Sequence, residues 1–132
     1  MNRQFAQLLG AMRAEVERIP QTMRQEPVVR QAIIHVLANA VQGMGLIPLA
    51  AWKPPRSTRE RLDLAAVVPE ADPPRVEMAF AVDPLVELPK LKALEWVECP
   101  HKIVVTFSER KDKVDQTTFF LKPGLEHLNL YD

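Results

Sequence analysis

Cysteine is nearly absent from this chain: Cys99 is the single thiol in 132 residues. No intrachain disulfide can form, and no cysteine-based zinc site can be built from the chain alone. The scarcity suits a reducing, cytoplasmic compartment. Glycine is also sparse, with four residues. There is no phosphate-cradling glycine loop, no dinucleotide fingerprint and no Gly-x-Ser-x-Gly elbow, which argues against nucleotide-cofactor enzymes. Net charge is absent too, since 17 Lys and Arg balance 17 Asp and Glu. No global field draws the protein to nucleic acid or anionic lipid, so any such affinity must come from a local patch. No run approaches the ~18 apolar residues of a membrane span. The N-terminal stretch carries Glu15 and Glu17 and does not read as a secretory signal. The three histidines, His35, His101 and His127, lack ligand spacing.

What is present is the composition of an ordinary globular domain, 47% hydrophobic and 26% charged. Its length suits one domain over residues 1–132: an N-terminal helical extension (1–25), a core (26–108) and a C-terminal strand and tail (109–132). Phe5, Leu8, Leu9, Met12 and Val16 form one stripe and predict a helix over 3–18. That stripe suits either the protein's own core or contact with a second copy. A second helix is expected from Glu26-Pro27 to about Gln42, with Gly43 as its stop. Strands are expected at 45–53, 59–68 and 75–82, the last two as a hairpin. A short helix beginning at Pro89 leads to a strand at 101–108. ERKDKVDQ (109–116) reads as a charged loop, TTFFLKP (117–123) as the last strand, and the tail as a turn or edge. The crossover from the third strand through the helix implies a parallel pair in a mixed sheet with helices on its faces.

Two carboxylates stand out, Asp63 in RLDLAAV and Glu77 in RVEMAF. Read alone, such carboxylates are more often the solvent-facing residues of a half-exposed hairpin, with Arg61 and Arg75 as ion-pair partners, than a metal site. Lys53, Arg56 and Arg59 form a basic cluster with Arg61 on the loop before Asp63, open either to solvent or to nucleic-acid phosphate. Trp52 and Trp96 can pack at a core rim or stack on bases. Cys99 reads as inert.

The order helix, three strands, helix, strand, with Asp63 early in the second strand and Glu77-Met78-Ala79 in the third, resembles the PD-(D/E)XK, or restriction-endonuclease-like, nuclease superfamily over residues 26–108. The resemblance implies a divalent Mg or Mn ion held by Asp63, Glu77 and the Met78 carbonyl, and a lysine two residues after the acid. That position is Ala79. The lysine would then come from Lys90 or Lys92 on the following helix, or from Lys53; an acid from the preceding helix would be Glu26. Two functions follow. One is a catalytically silent nuclease-fold protein acting as a binding or assembly subunit with a protein partner, which the alanine favours. The other is a metal-dependent DNA or RNA phosphodiesterase using Asp63, Glu77 and a relocated lysine.

Overall fold

The computed structural model describes residues 3–57 and 59–131. Helix α1 (Arg3–Glu17) buries the whole predicted stripe, Phe5, Leu8, Leu9, Met12 and Val16. It packs against α2 (Glu26–Gly43) and reaches the last strand. The face that suited a second copy is therefore used in the protein's own core. Helix α2 opens with Pro27 in its first turn, a position where the missing N–H costs nothing, and buries Val29, Ile33, Leu37 and Val41 at four-residue spacing.

Five strands form one sheet in the order β1 (Ile47–Trp52), β2 (Leu62–Val68), β3 (Arg75–Asp83), β4 (His101–Thr106) and β5 (Leu125–Asn129). β1–β2 and β2–β3 are antiparallel, and β3–β4 and β4–β5 are parallel. The sheet is mixed, as the crossover predicted. β1 is an edge strand, which accommodates Pro48.

Strand alternation divides the core in two. Met78, Phe80 and Val82 of β3 face α1 and α2, together with Ile103 and Val105 of β4 and Leu128 of β5. Ala79 and Ala81 face the opposite layer, where α3 (Leu88–Glu95) contributes Leu91, Ala93 and Leu94. The small alanines allow α3 to lie close on the sheet.

The C-terminal expectations need correction. The stretch read as a charged loop contains α4 (Lys111–Thr117), and the stretch read as a strand holds a 3-10 turn at Thr118–Phe120. The last strand lies farther on, at Leu125–Asn129, and runs parallel to β4. Helix α4 buries one apolar residue, Val114, so it has no periodic stripe to read. Phe119 is exposed and Phe120 half-buried, so their β propensity is not matched by a sheet neighbour. The β5 sequence LEHLN carries polar residues at Glu126, His127 and Asn129, without the apolar alternation of a half-buried strand, and is held by pairing that the strand itself does not announce. One such tie is the Thr106–His127 side-chain hydrogen bond, 2.7 Å across β4 and β5.

No helix among the described residues is long and apolar enough to cross a membrane.

Candidate functional site

The start of β2 lies beside the end of β3, because the two strands are antiparallel and Leu64 pairs with Phe80. Asp63 therefore reaches the region of Val82 and Asp83. The Val82 amide donates to Asp63 Oδ2 at 2.6 Å, which fixes that carboxylate against the neighbouring strand. Helix α3 begins five residues after Asp83, and its first turn carries Lys90. The Lys90 amine turns back over the strand ends and donates to Asp63 Oδ2 at 2.8 Å and to Asp83 Oδ1 at 2.9 Å. Three groups separated by up to 27 residues thus meet at one point.

Helix α2 supplies the outer wall. Arg30 donates to the Val82 carbonyl at 3.1 Å, to Asp83 Oδ1 at 3.1 Å and to Glu26 at 2.9 Å. Its guanidinium lies over the Phe107 ring, 5.8 Å from the centroid. The backbone around Asp83 is tied as well, since the Phe107 amide donates to the Asp83 carbonyl.

The site is largely shielded from water: the side chains of Asp63, Asp83 and Lys90 are 11%, 5% and 15% exposed. Burial pushes the Asp83 carboxyl up to about 6, against the stabilising hydrogen bond and charge of Lys90, while the charges of Asp63 and Glu87 push it further up. For Lys90, burial favours the neutral amine, but hydrogen bonds to Asp63 and Asp83 outweigh it and the ammonium is held more firmly than usual. Arg30 is raised in the same way, with burial opposed by Glu26 and Asp83. Glu26, Asp63 and Asp83 are balanced against two cations, so the cluster is acid-rich.

The structure unites some of the expected residues and separates others. Asp63, Lys90 and Glu26 belong to one network. Glu77 does not join it. It stands six residues earlier on β3, about 20 Å along an extended strand, at the bulge where the β2–β3 register shifts. Its charge is felt instead by Cys99. Met78 lies between Ala66 of β2 and His101 of β4, with its side chain buried under α1 and α2, well away from Asp63. Ala79 is fully buried beneath α3, where a lysine would place an ammonium in an apolar layer. The acid that meets Asp63 is Asp83, which sequence reading missed. Its signal was present: it follows the apolar alternation of β3 directly and sits where that strand ends opposite Asp63.

Lys92 is exposed and lines a small hollow with Arg59 and Trp96. Lys53 and Arg56 are exposed on the loop after β1. Arg61 donates to the Ala51 carbonyl, so it does not serve as the expected partner of Asp63. Ala51 itself, opposite Asp63 on β1, has a φ of 53°, a conformation that alanine rarely adopts. His35 is exposed on α2 beside Asn39. Burial raises the Cys99 thiol, in keeping with an inert cysteine.

No family model matches the chain, and neither a curated protein nor a solved structure matches it. The chemistry of the site therefore carries the functional reading.

Proposed function

We propose that the protein is a metal-dependent phosphodiesterase acting on nucleic acid, built on the restriction-endonuclease-like plan, with Asp63, Asp83 and Lys90 at its centre. The observation that carries this reading is the convergence of two strand-end carboxylates on one lysine amine at 2.8 and 2.9 Å. The element order supports it. An α2–β1–β2–β3–α3–β4 succession, with β4 parallel to β3, sets the start of β2 beside the end of β3 and returns α3 over both.

The donor set suits a hard cation such as Mg²⁺ or Mn²⁺, which takes one or two carboxylates and draws its other ligands from water and phosphate. Among the described residues no group of three or more His, Cys, Asp or Glu side chains could hold a metal ion, so a cage made wholly of protein is not the arrangement proposed. Asp63 and Asp83 would hold the ion. When bound, it would polarise the phosphate and lower the pKa of a water. Hydrolysis joins the water oxygen to phosphorus and breaks one P–O ester bond. Lys90 would hold that water or offset charge developing on the phosphate. The Val82 amide orients Asp63, and Arg30 fixes Asp83 from the helix side.

One observation favours a second reading. The Lys90 amine occupies the space between the two carboxylates and neutralises them from within. A protein that keeps this arrangement permanently would be a silent member of the same plan, acting as a binding or assembly subunit.

The deciding experiment is a Mg²⁺- and Mn²⁺-dependent cleavage assay on duplex DNA, single-stranded DNA and RNA. Wild type would be compared with Asp63→Asn, Asp83→Asn and Lys90→Ala. Cleavage by wild type alone is the expected result. Absence of cleavage on all three substrates, or equal traces from every variant, would overturn the hydrolase and leave the silent subunit.

A further inference from the structure

The chain has two tryptophans, 44 positions apart in sequence, and the fold places both on one groove. The groove is about 760 Å³, within the range of ligand-binding pockets, and has Val76 in its lining. Trp52 comes from the end of β1 and Trp96 from the residue that caps α3. Trp96 is 43% exposed. The layer beneath α3 is already closed by Leu91, Leu94 and Val97, so this indole is not what fills it.

Cations flank the indoles. Arg56 and Arg75 line the same groove, and Trp96 also borders the neighbouring hollow that holds Arg59 and Lys92. All four cations are exposed, and among the described residues none is engaged in an ion pair. Asp72 and Glu98 are the acids of the main groove and Glu60 that of the hollow. Lys92 stands two residues beyond Lys90 on the same helix and therefore points to a different side of it, toward the hollow beside Trp96.

We propose that this groove is a binding track for unpaired polynucleotide, with bases stacked on Trp96 and Trp52 and phosphates met by Arg56, Arg59, Arg75 and Lys92. The proposal deepens the phosphodiesterase reading by naming single-stranded or flapped nucleic acid as the substrate class, and rests on that reading only for what happens to the strand after it binds. Flat aromatic faces accept any unstacked base, whereas bases inside a duplex keep their faces covered. A chain with no net charge needs such a local combination of stacking and cations, because no general field concentrates nucleic acid on it.

The test is intrinsic tryptophan fluorescence of the full chain in EDTA, where metal-dependent cleavage is silent. The probes are a 12-residue oligothymidylate, a 12-residue oligouridylate and a 12-base-pair DNA duplex. Saturable quenching by either single strand, with at least tenfold weaker binding by the duplex, is the expected result, and the tighter of the two strands names the sugar. Trp96→Ala should weaken single-strand binding about tenfold. Lys92→Glu, a change at an exposed position, should weaken it and flatten its salt dependence by about one unit of slope or more. Lack of quenching by both strands, unchanged affinity in both variants, or equal binding of the duplex would overturn the proposal. A fluorescence change with protein concentration alone would assign the groove to a second copy and overturn it as well. Binding without cleavage in Mn²⁺ would retain the groove and remove the hydrolase; cleavage of duplex without single-strand binding would do the reverse.

Discussion

Lys90 donates to Asp63 across 27 residues of chain, at 2.8 Å, in a position where a divalent cation would also be drawn. On the proposed reading the amine and a metal ion would be alternatives for the same pair of carboxylates. Removing the amine should therefore have opposite effects on activity and on metal affinity. Lys90→Ala should lower cleavage at least about 100-fold, the loss typical of a group acting directly on the reacting atoms. Without metal it should also cost about 3 kcal/mol of stability, because it leaves two shielded carboxylates facing one another. Mn²⁺ should raise the melting temperature of the variant more than that of wild type. An equal or smaller rise would show that the carboxylates do not take the ion.

The Asp83 carboxyl has a folded pKa of about 6 against an ordinary value of 3.8. Its proton is bound more tightly in the folded state than in the unfolded one. The stability this contributes is complete below about pH 4 and is lost as pH rises through 6. In EDTA, the difference in melting temperature between Asp83→Asn and wild type should therefore grow in favour of the variant between pH 5 and pH 7. Urea melts at the two pH values would check it; a wild type that gains on the variant with rising pH would contradict the assignment.

Ala79→Lys tests where the lysine of this site belongs. Ala79 is fully buried under Leu91, Leu94 and Val97. A lysine there must bury an ammonium or push α3 off the sheet, and should cost more than about 3 kcal/mol without adding activity. Recovery of cleavage in an Ala79→Lys, Lys90→Ala double variant would instead return the site to the middle of β3.

Ala51, opposite Asp63, holds a left-handed backbone that glycine adopts without penalty. Ala51→Gly should stabilise the protein by about 1 kcal/mol in chemical denaturation. A loss of stability would mean that the alanine methyl contributes packing that the backbone conformation does not reveal.

The layout of the central domain was legible in the sequence because burial leaves a period. Val29, Ile33, Leu37 and Val41 mark one face of α2, and Met78, Phe80 and Val82 mark one face of β3. The crossover through α3 implies the parallel β3–β4 pair from chain order alone. Where burial is slight, the period disappears: α4 has Val114 alone, and its stretch of charges reads as a loop.

The sequence by itself determined a single mixed α/β sheet, since hydrophobic period and proline placement are local properties; Asp63 and Lys90 became candidates through the resemblance to the nuclease superfamily. Only the tertiary structure decided that Asp83, and not Glu77, is the acid beside Asp63. That choice depends on the register of the β2–β3 pair, which is fixed once the strands meet and is shifted by a bulge between Ala66 and Val67. The same register buries Ala79 beneath α3 and leaves Glu77 six residues before Asp83 on β3. Trp52 and Trp96 follow the same logic, since nothing in either segment announces the other until β1 and α3 are packed onto one sheet.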